Sequence, residues 1–336
     1  MNIRQNNEWL AYHIFYGMDA RYILKECVFH LIDDLVKKKM ISSWFFINYW
    51  LEGAHVRLRV KSRNPEFDDQ IHDFLIREIS NFMKQHPSLH PTPELADPAY
   101  YRKAFNNEYP PEEYAKWTDE NGKPRFRPDN SIFKYTYEPE YGRYGGIEGM
   151  TMSEQHFHDS SCLVRSLIET GNLGTRSIRL GLSAQIMAVT VSCLFESFQE
   201  VLNFLLSYHN HWVHSFQLTP GYVSGSGRLS IKPTVEQVKN QIVPYVDACL
   251  ENEINELPGF LSKLAVKCQG LKEQIYQLQD RGSLSFLVNG SLVLPSSRVN
   301  AVATLARSYL HMTNNRMLVD IREEAYLSFV LYEAIK

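Results

Sequence analysis

Trp44-Phe45-Phe46-Ile47-Asn48-Tyr49-Trp50-Leu51-Glu52-Gly53-Ala54-His55-Val56-Arg57-Leu58-Arg59-Val60-Lys61 is the stretch whose reading decides the fold class. Aromatic and β-branched residues dominate Trp44 to Leu51, Glu52-Gly53 interrupts them, and His55 to Lys61 alternates apolar with polar. That pattern predicts a β-hairpin with a short turn. Side chains on a strand alternate between faces. Val56, Leu58 and Val60 are therefore expected in the core, with His55, Arg57 and Arg59 in a row on the opposite face. Arg57 and Arg59 would stand about 6–7 Å apart, and each could fork onto a carboxylate or phosphate. The same row also fits a solvent-facing edge strand whose charges merely block further pairing.

Outward from the hairpin the period becomes helical. Ile23, Leu24, Cys27, Val28, Leu31, Ile32 and Leu35 recur at helical spacing within Ala20–Lys39. Lys37-Lys38-Lys39 falls at the C-terminal end, where cations suit the helix dipole. Trp9 to Tyr16 reads as an opening strand and Phe67 to Gln85 as a second amphipathic helix. Pro87 to Pro128 holds eight of the fifteen prolines. It reads as an extended, turn-rich excursion ending in a strand candidate, Ser131 to Tyr137. Beyond Gly149, helices are expected over Met152–Glu169, Ser177–Val191, Phe195–Ser215, Thr234–Asn255, Leu257–Leu278, Arg298–Met312 and Ile321–Ile335, with a flexible loop at Gly221–Lys232. No internal repeat is present. The expected architecture is a single α+β domain, 1–336: an antiparallel β-sheet in a β-containing half, 1–149 (with the Pro-rich excursion 87–128), packed with a mostly helical half, 150–336.

Composition sets the outer bounds. At about 150 residues per domain, 336 residues correspond to roughly two domains, enough to bury a core without disulfides or structural metal. A hydrophobic share of 44% and a charged share of 22% exclude a disordered chain, a collagen-like repeat and a coiled-coil rod. A net charge of −3 argues against a nucleic-acid coat, so no direct nucleic-acid partner is expected. Aromatic residues reach 12%, which suits grooves for peptides as well as ordinary cores. No apolar run follows a basic start, and no stretch of 18 apolar residues occurs. Neither a signal peptide nor a membrane span is expected. The five cysteines are odd in number, widely spaced and without a Cys-x-x-Cys. Reduced, buried thiols in a cytoplasmic protein are the expectation.

Cofactor signatures are missing. There is no phosphate-binding loop and no Gly-x-Gly-x-x-Gly after a strand. Gly225-Ser226-Gly227 lacks the full nucleophile-elbow spacing. His209, His211 and His214 diverge around a helix with no acidic neighbour, so neither a metal nor a cofactor is expected. Two further patterns carry chemistry. Tyr137-Glu138-Pro139-Glu140-Tyr141-Gly142-Arg143-Tyr144-Gly145-Gly146 combines carboxylates, tyrosines and an arginine ahead of a flexible Gly-Gly. Ser308-Tyr309-Leu310-His311-Met312-Thr313-Asn314-Asn315-Arg316 sets His311 and Asn315 four apart, on one face if the helix continues. Each also fits a plain structural role: a polar loop, and a histidine at a helix C-terminus.

Together the three patterns resemble the C-terminal elimination domain of class I lantibiotic dehydratases, the thiopeptide-type bacteriocin biosynthesis family. Trp44 to Trp50 with Gly53-Ala54-His55-Val56-Arg57-Leu58-Arg59 resembles the family's aromatic strand and its Gly-Pro-His-Leu-Arg-Leu-Arg stretch. Tyr137-Glu138 with Glu140 and Arg143-Tyr144-Gly145-Gly146 resembles its Tyr-Glu…Arg-Tyr-Gly-Gly block, and His311-Met312 with Asn315-Arg316 its His-Met-x-x-Asn-Arg helix end. Asn48, Ala54, Thr313 and Leu318-Val319 depart from the pattern. The resemblance covers nearly the whole chain.

The resemblance implies a lyase. In that family a large N-terminal domain esterifies Ser or Thr of a precursor peptide with glutamate from glutamyl-tRNA. The C-terminal domain then eliminates the glutamate to leave dehydroalanine or dehydrobutyrine. A chain of this length is expected to be the stand-alone eliminase of a split system, with a leader-bearing precursor peptide and a separate glutamyl-tRNA-dependent glutamylation protein as partners. A homodimer is the default assembly. The implied catalytic residues are His311, Arg143, Glu140 and Arg59; Arg57, His55, Tyr144, Asn315 and Arg316 are the implied substrate contacts. Such a reaction needs a base for the Cα proton and cations for the developing and departing carboxylate. A thiopeptide pyridine synthase on the same fold, or a non-catalytic subunit that binds the precursor along a strand edge, are the alternatives.

Overall fold

β2 (Ile41–Tyr49) and β3 (His55–Ser62) form the hairpin, with Asn48 opposite Val56 and Tyr49 opposite His55. Glu52 and Gly53 take positive φ, 65° and 107°, to close its turn. β1 (Trp9–Phe15) pairs with the other side of β3, setting His13 opposite Arg57 and Ala11 opposite Arg59. β4 (Ser131–Tyr135) adds to β1, giving the antiparallel order β2-β3-β1-β4. β3 is thus an inner strand, and its charged row does not guard an edge. The structure is a computed structural model and describes residues 9–89, 98–218 and 232–336. The chain divides into two compact units, up to Glu138 and from Pro139.

In the first unit one sheet face is covered by helices. α1 (Ala20–Ile23) and α2 (Phe29–Lys37) are joined by a π-helical turn, Leu24–Val28, and α3 (Asp68–Gln85) follows the hairpin. The Phe29 ring lies 5.9 Å from Trp44 and 6.0 Å from Phe46, and Tyr12 stacks on His72 at 5.8 Å. Val56, Leu58 and Val60 are buried there, as the alternation predicts. The other face carries Arg57, Arg59, His55 and His13 among aromatic rings.

The Pro-rich excursion is not simply extended. It contains α4 (Pro98–Glu108) and a 3₁₀ segment, Pro111–Trp117. Leu51, Tyr101 and Phe105 form a buried cluster there, with Tyr49, Trp50, Tyr109, Tyr114 and Trp117 against it. Burial of these rings supplies the reason for local folding that composition concealed. Tyr49 and Trp50 also donate to Glu108, at 2.5 and 3.1 Å.

The second unit is helical: α5 (Gly146–Thr170), α6 (Arg176–Leu194), α7 (Phe198–Ser215), α8 (Lys232–Leu250), α9 (Gly259–Asp280), α10 (Arg298–Arg316) and α11 (Ile321–Ile335). A small hairpin, β5 (Phe286–Val288) and β6 (Ser291–Val293), interrupts them. Among the described residues, α6 alone is long and apolar enough to cross a membrane. Its residues from Ile186 to Leu194 are all buried, and α7, α8, α9, α10 and α11 pack against it, as in the central helix of a core. Cys27, Cys193, Cys249 and Cys268 are buried free thiols; Cys162 is exposed, against expectation. Of the expected loop Gly221–Lys232, residues 221–231, with Gly225-Ser226-Gly227, lie outside the described residues, and Lys232 opens α8.

Candidate active site

In the second unit, α10, α11, α7 and the loop ahead of α5 bring acidic, basic and phenolic side chains together. Helix α10 runs through to Arg316, so His311 sits well inside it and not at its end. His311 Nδ1 lies 2.9 Å from Glu324 Oε1, with 21% of the His311 side chain exposed and Glu324 sealed at 0%. A carboxylate accepts, so Nδ1 carries the hydrogen and Nε2 is left with a lone pair. Tyr208 of α7 donates to the other oxygen, Glu324 Oε2. Burial, reinforced by the Glu324 charge, holds the Tyr208 phenol well above its usual range. The Trp212 ring packs 4.8 Å from the imidazole.

The loop reaches the same helix. Arg143 Nε donates to Ser308 Oγ at 3.2 Å, one turn before His311, and Arg143 Nη1 pairs with Glu140 Oε2 at 3.2 Å. Arg143 and Tyr144 close the turn by donating backbone N–H to the Glu140 carbonyl at 2.9 and 3.1 Å. Gly149 is required beneath it, since a Cβ would stand 2.1 Å from the Tyr144 carbonyl oxygen. From β5, Leu287 N donates to the Gly142 carbonyl at 2.8 Å, bracing the loop.

Tyr144 and Arg316, expected as substrate contacts, lie inside. Tyr144 is buried against Phe157 and Tyr309, and burial pushes its phenol up to about 12. Arg316 is fully buried, donates to Ser160 Oγ at 3.1 Å and lies over the Phe157 ring; burial lowers its guanidinium to about 9. Asn315 is partly buried on α10, one turn beyond His311.

His55, Arg57 and Arg59 sit in the first unit, on the ring-rich face of the sheet. Arg59 is 7% exposed, and its guanidinium donates to the Leu58 carbonyl at 3.1 Å and to His13 Nε2 at 3.2 Å. Burial, then the charge of Arg57, lowers it to about 9. Arg57 lies over the Tyr49 ring at 3.3 Å, and its Nε donates to His55 Nε2 at 3.4 Å. His55 is held near 3 by burial and by the arginines, against a Gly53 carbonyl that favours its proton. His13 is pushed further down by burial and by Arg59 and Arg57. Sequence reasoning missed His13. It missed Glu324 too, although Glu324, Leu327, Ser328 and Leu331 form a helical stripe that puts the carboxylate on a core-facing side.

A buried carboxylate against a part-exposed histidine, with the Arg143 guanidinium held to the same helix by Ser308, is an arrangement that can support proton transfer beside an anion. The sequence matches the family described as lantibiotic biosynthesis dehydratase C-term over residues 9–335, and the chain belongs to that family. No curated protein sequence matches it. Among solved structures it is similar to the pyridine synthase TbtD from thiomuracin biosynthesis, at TM-score 0.69 and 14% identity, covering 97% of each chain. It is also similar to TsrL, at TM-score 0.63 and 14% identity, covering 97% of this chain and 94% of that one. The tRNA-dependent lantibiotic dehydratase MibB from Microbispora sp. 107891 matches at TM-score 0.60 and 15% identity; 99% of this chain covers 28% of that one. These likenesses establish the shared fold.

Proposed function

We propose that the protein removes glutamate from glutamylated Ser or Thr residues of a ribosomal precursor peptide, leaving dehydroalanine or dehydrobutyrine. The observation that carries this reading is the His311–Glu324 pair on α10 and α11, beside Arg143 on Ser308. His311 Nε2 takes the Cα proton of the esterified residue. The Cα–H electron pair forms the Cα=Cβ bond, and the Cβ–O bond breaks with its electrons going to the departing glutamate carboxylate. Glu324 holds the imidazole in the tautomer that leaves Nε2 free and stabilises the imidazolium that forms. Arg143 meets the negative charge, with Glu140 orienting its guanidinium. On the first unit's own sheet, Arg57, Arg59 and His55 offer a separate anion-binding row; in the second unit, Tyr144 and Arg316 brace the loop and α10 from within. A separate glutamyl-tRNA-dependent protein would make the ester.

The test is direct. Incubation with a glutamylated precursor peptide is expected to yield a dehydrated product and free glutamate by mass spectrometry, and His311→Ala is expected to leave the ester intact. An unchanged ester with the native protein would overturn the reading. Ring closure is the second reading, favoured by the end-to-end match to TbtD. Release of leader peptide from a dehydrated, azole-containing precursor, with no action on the ester, would select it.

A further inference from the structure

Arg307 lies on α10 beside Ser308, the acceptor of Arg143 Nε, and one turn before His311. It is partly buried, and its Nε is closed off from solvent without a hydrogen-bond partner. A buried, unsatisfied donor on a cation is costly and calls for an acceptor. The site's own carboxylates are engaged elsewhere: Glu140 with Arg143, and Glu324 with His311 and Tyr208. The acidic side chain felt by Arg307 is the Tyr208 phenol, which burial keeps protonated. A neutral phenol supplies no countercharge. From α7, His211 faces the same group: burial first, then Arg307, His311 and Arg143, bring it down to about 4. His211 is therefore a neutral imidazole that can donate one N–H without adding charge. The Trp212 ring touches both imidazoles, at 4.9 Å from His211 and 4.8 Å from His311.

We propose that Arg307, with Arg143 and His211, forms a carboxylate pocket on the helical unit that holds the side-chain carboxylate of the departing glutamyl group. The spacing suits that ligand. Residues four apart on a helix are about 6 Å apart along its axis. The ester carbon and side-chain carboxylate carbon of a glutamyl group are separated by four bonds of about 1.5 Å, roughly 5 Å when extended. With the ester near His311, the far carboxylate reaches the level of Arg307. The terminal nitrogens of the part-buried guanidinium then gain the countercharge that no carboxylate of the site supplies. Arg307 acts in this scheme as a specificity residue, reading the one group that separates glutamate from glutamine. The identity of the ligand rests on the elimination reading; the pocket's preference for a carboxylate rests on the side chains themselves.

L-glutamate and L-glutamine are titrated into the native protein, Arg307→Gln and Arg307→Lys, followed by calorimetry and by the His211 ring signals in NMR spectra. The native protein is expected to bind glutamate at least about tenfold more tightly than glutamine, with the His211 signals moving only for glutamate; that difference is about 1.4 kcal/mol. Arg307→Gln is expected to lose it, and Arg307→Lys to keep a part. Equal binding of the two amino acids, no binding of glutamate, or native-like discrimination by Arg307→Gln would each overturn the pocket. Should Arg307→Gln fail to fold, the glutamate-to-glutamine ratio on the native protein and on Arg307→Lys still decides. Glutamate binding through Arg307 by a protein that leaves the glutamylated peptide untouched would support the pocket and overturn the elimination reading.

Discussion

The two units each gather histidines and arginines, and they treat the charge in opposite ways. On the sheet, His13 and His55 stack with each other at 4.7 Å and face Arg57 and Arg59, with no carboxylate paired to either arginine among the described residues. Burial and the neighbouring guanidiniums there work against another proton, opposed at His55 by the Gly53 carbonyl. Among the helices, His311 bonds a carboxylate that is itself sealed from water. The first arrangement keeps imidazoles neutral and guanidiniums short of countercharge, which suits capture of an anion. The second holds an imidazole by one nitrogen against a buried carboxylate and leaves the other nitrogen open, which suits proton transfer.

The contrast breaks most visibly at His311. His311→Ala is expected to lower elimination by about 10²–10⁴-fold in kcat, and Glu324→Gln by an amount within the same range, since each removes a part of the base. Single-turnover assays on glutamylated peptide measure both. Acid provides the next largest effect. His13, His55 and His156 carry depressed folded-state values, so the unfolded chain binds protons first. Stability is complete above about pH 6.5 and falls as pH drops below it, by about 1.4 kcal/mol for each of these histidines at pH 5.5. Urea unfolding at pH 7.5 and 5.5 tests this, with His13→Phe expected to flatten the dependence.

Arg59→Met sharpens the comparison from the binding side. Loss of a charge-assisted hydrogen bond to substrate is expected to weaken binding by about 1.5–3 kcal/mol. Removal of a buried charge without a countercharge leaves the melting temperature unchanged or higher. A lowered melting temperature would assign Arg59 a structural role. The smallest effect is expected at Glu140→Gln, an exposed pair whose loss changes stability by less than about 1 kcal/mol in denaturant titrations.

Most of the helices were legible because their apolar faces repeat at helical spacing, and the hairpin because its period is two. The α+β class followed from those alone. The excursion misled because Pro98 and Pro111 read as breakers, yet each opens a helical segment, where a missing N–H does no harm. β5 and β6 are three-residue strands, too short to show alternation, although Asn289-Gly290 at their turn is a hairpin signal, with φ of 49° and 78°. Arg143 and His311 were legible as motif residues, and the structure brings the Arg143 loop to α10 through Ser308, one turn before His311. Glu324 and Arg307 were hidden because charged residues on helices usually face water. Only packing reveals that these do not.

The bracing of the Glu140–Arg143 loop also sets an order in time. Its supports, Leu287, Ser308 and, around His311, Glu324, all lie downstream of it in the chain. The sheet of the first unit can pair as soon as β4 leaves the ribosome, since its strands end at Tyr135. The Glu140–Arg143 loop has nothing to rest on until nearly two hundred further residues, through Glu324, have been made. A nascent chain would therefore acquire the means to hold an anion well before it acquired the means to take a proton.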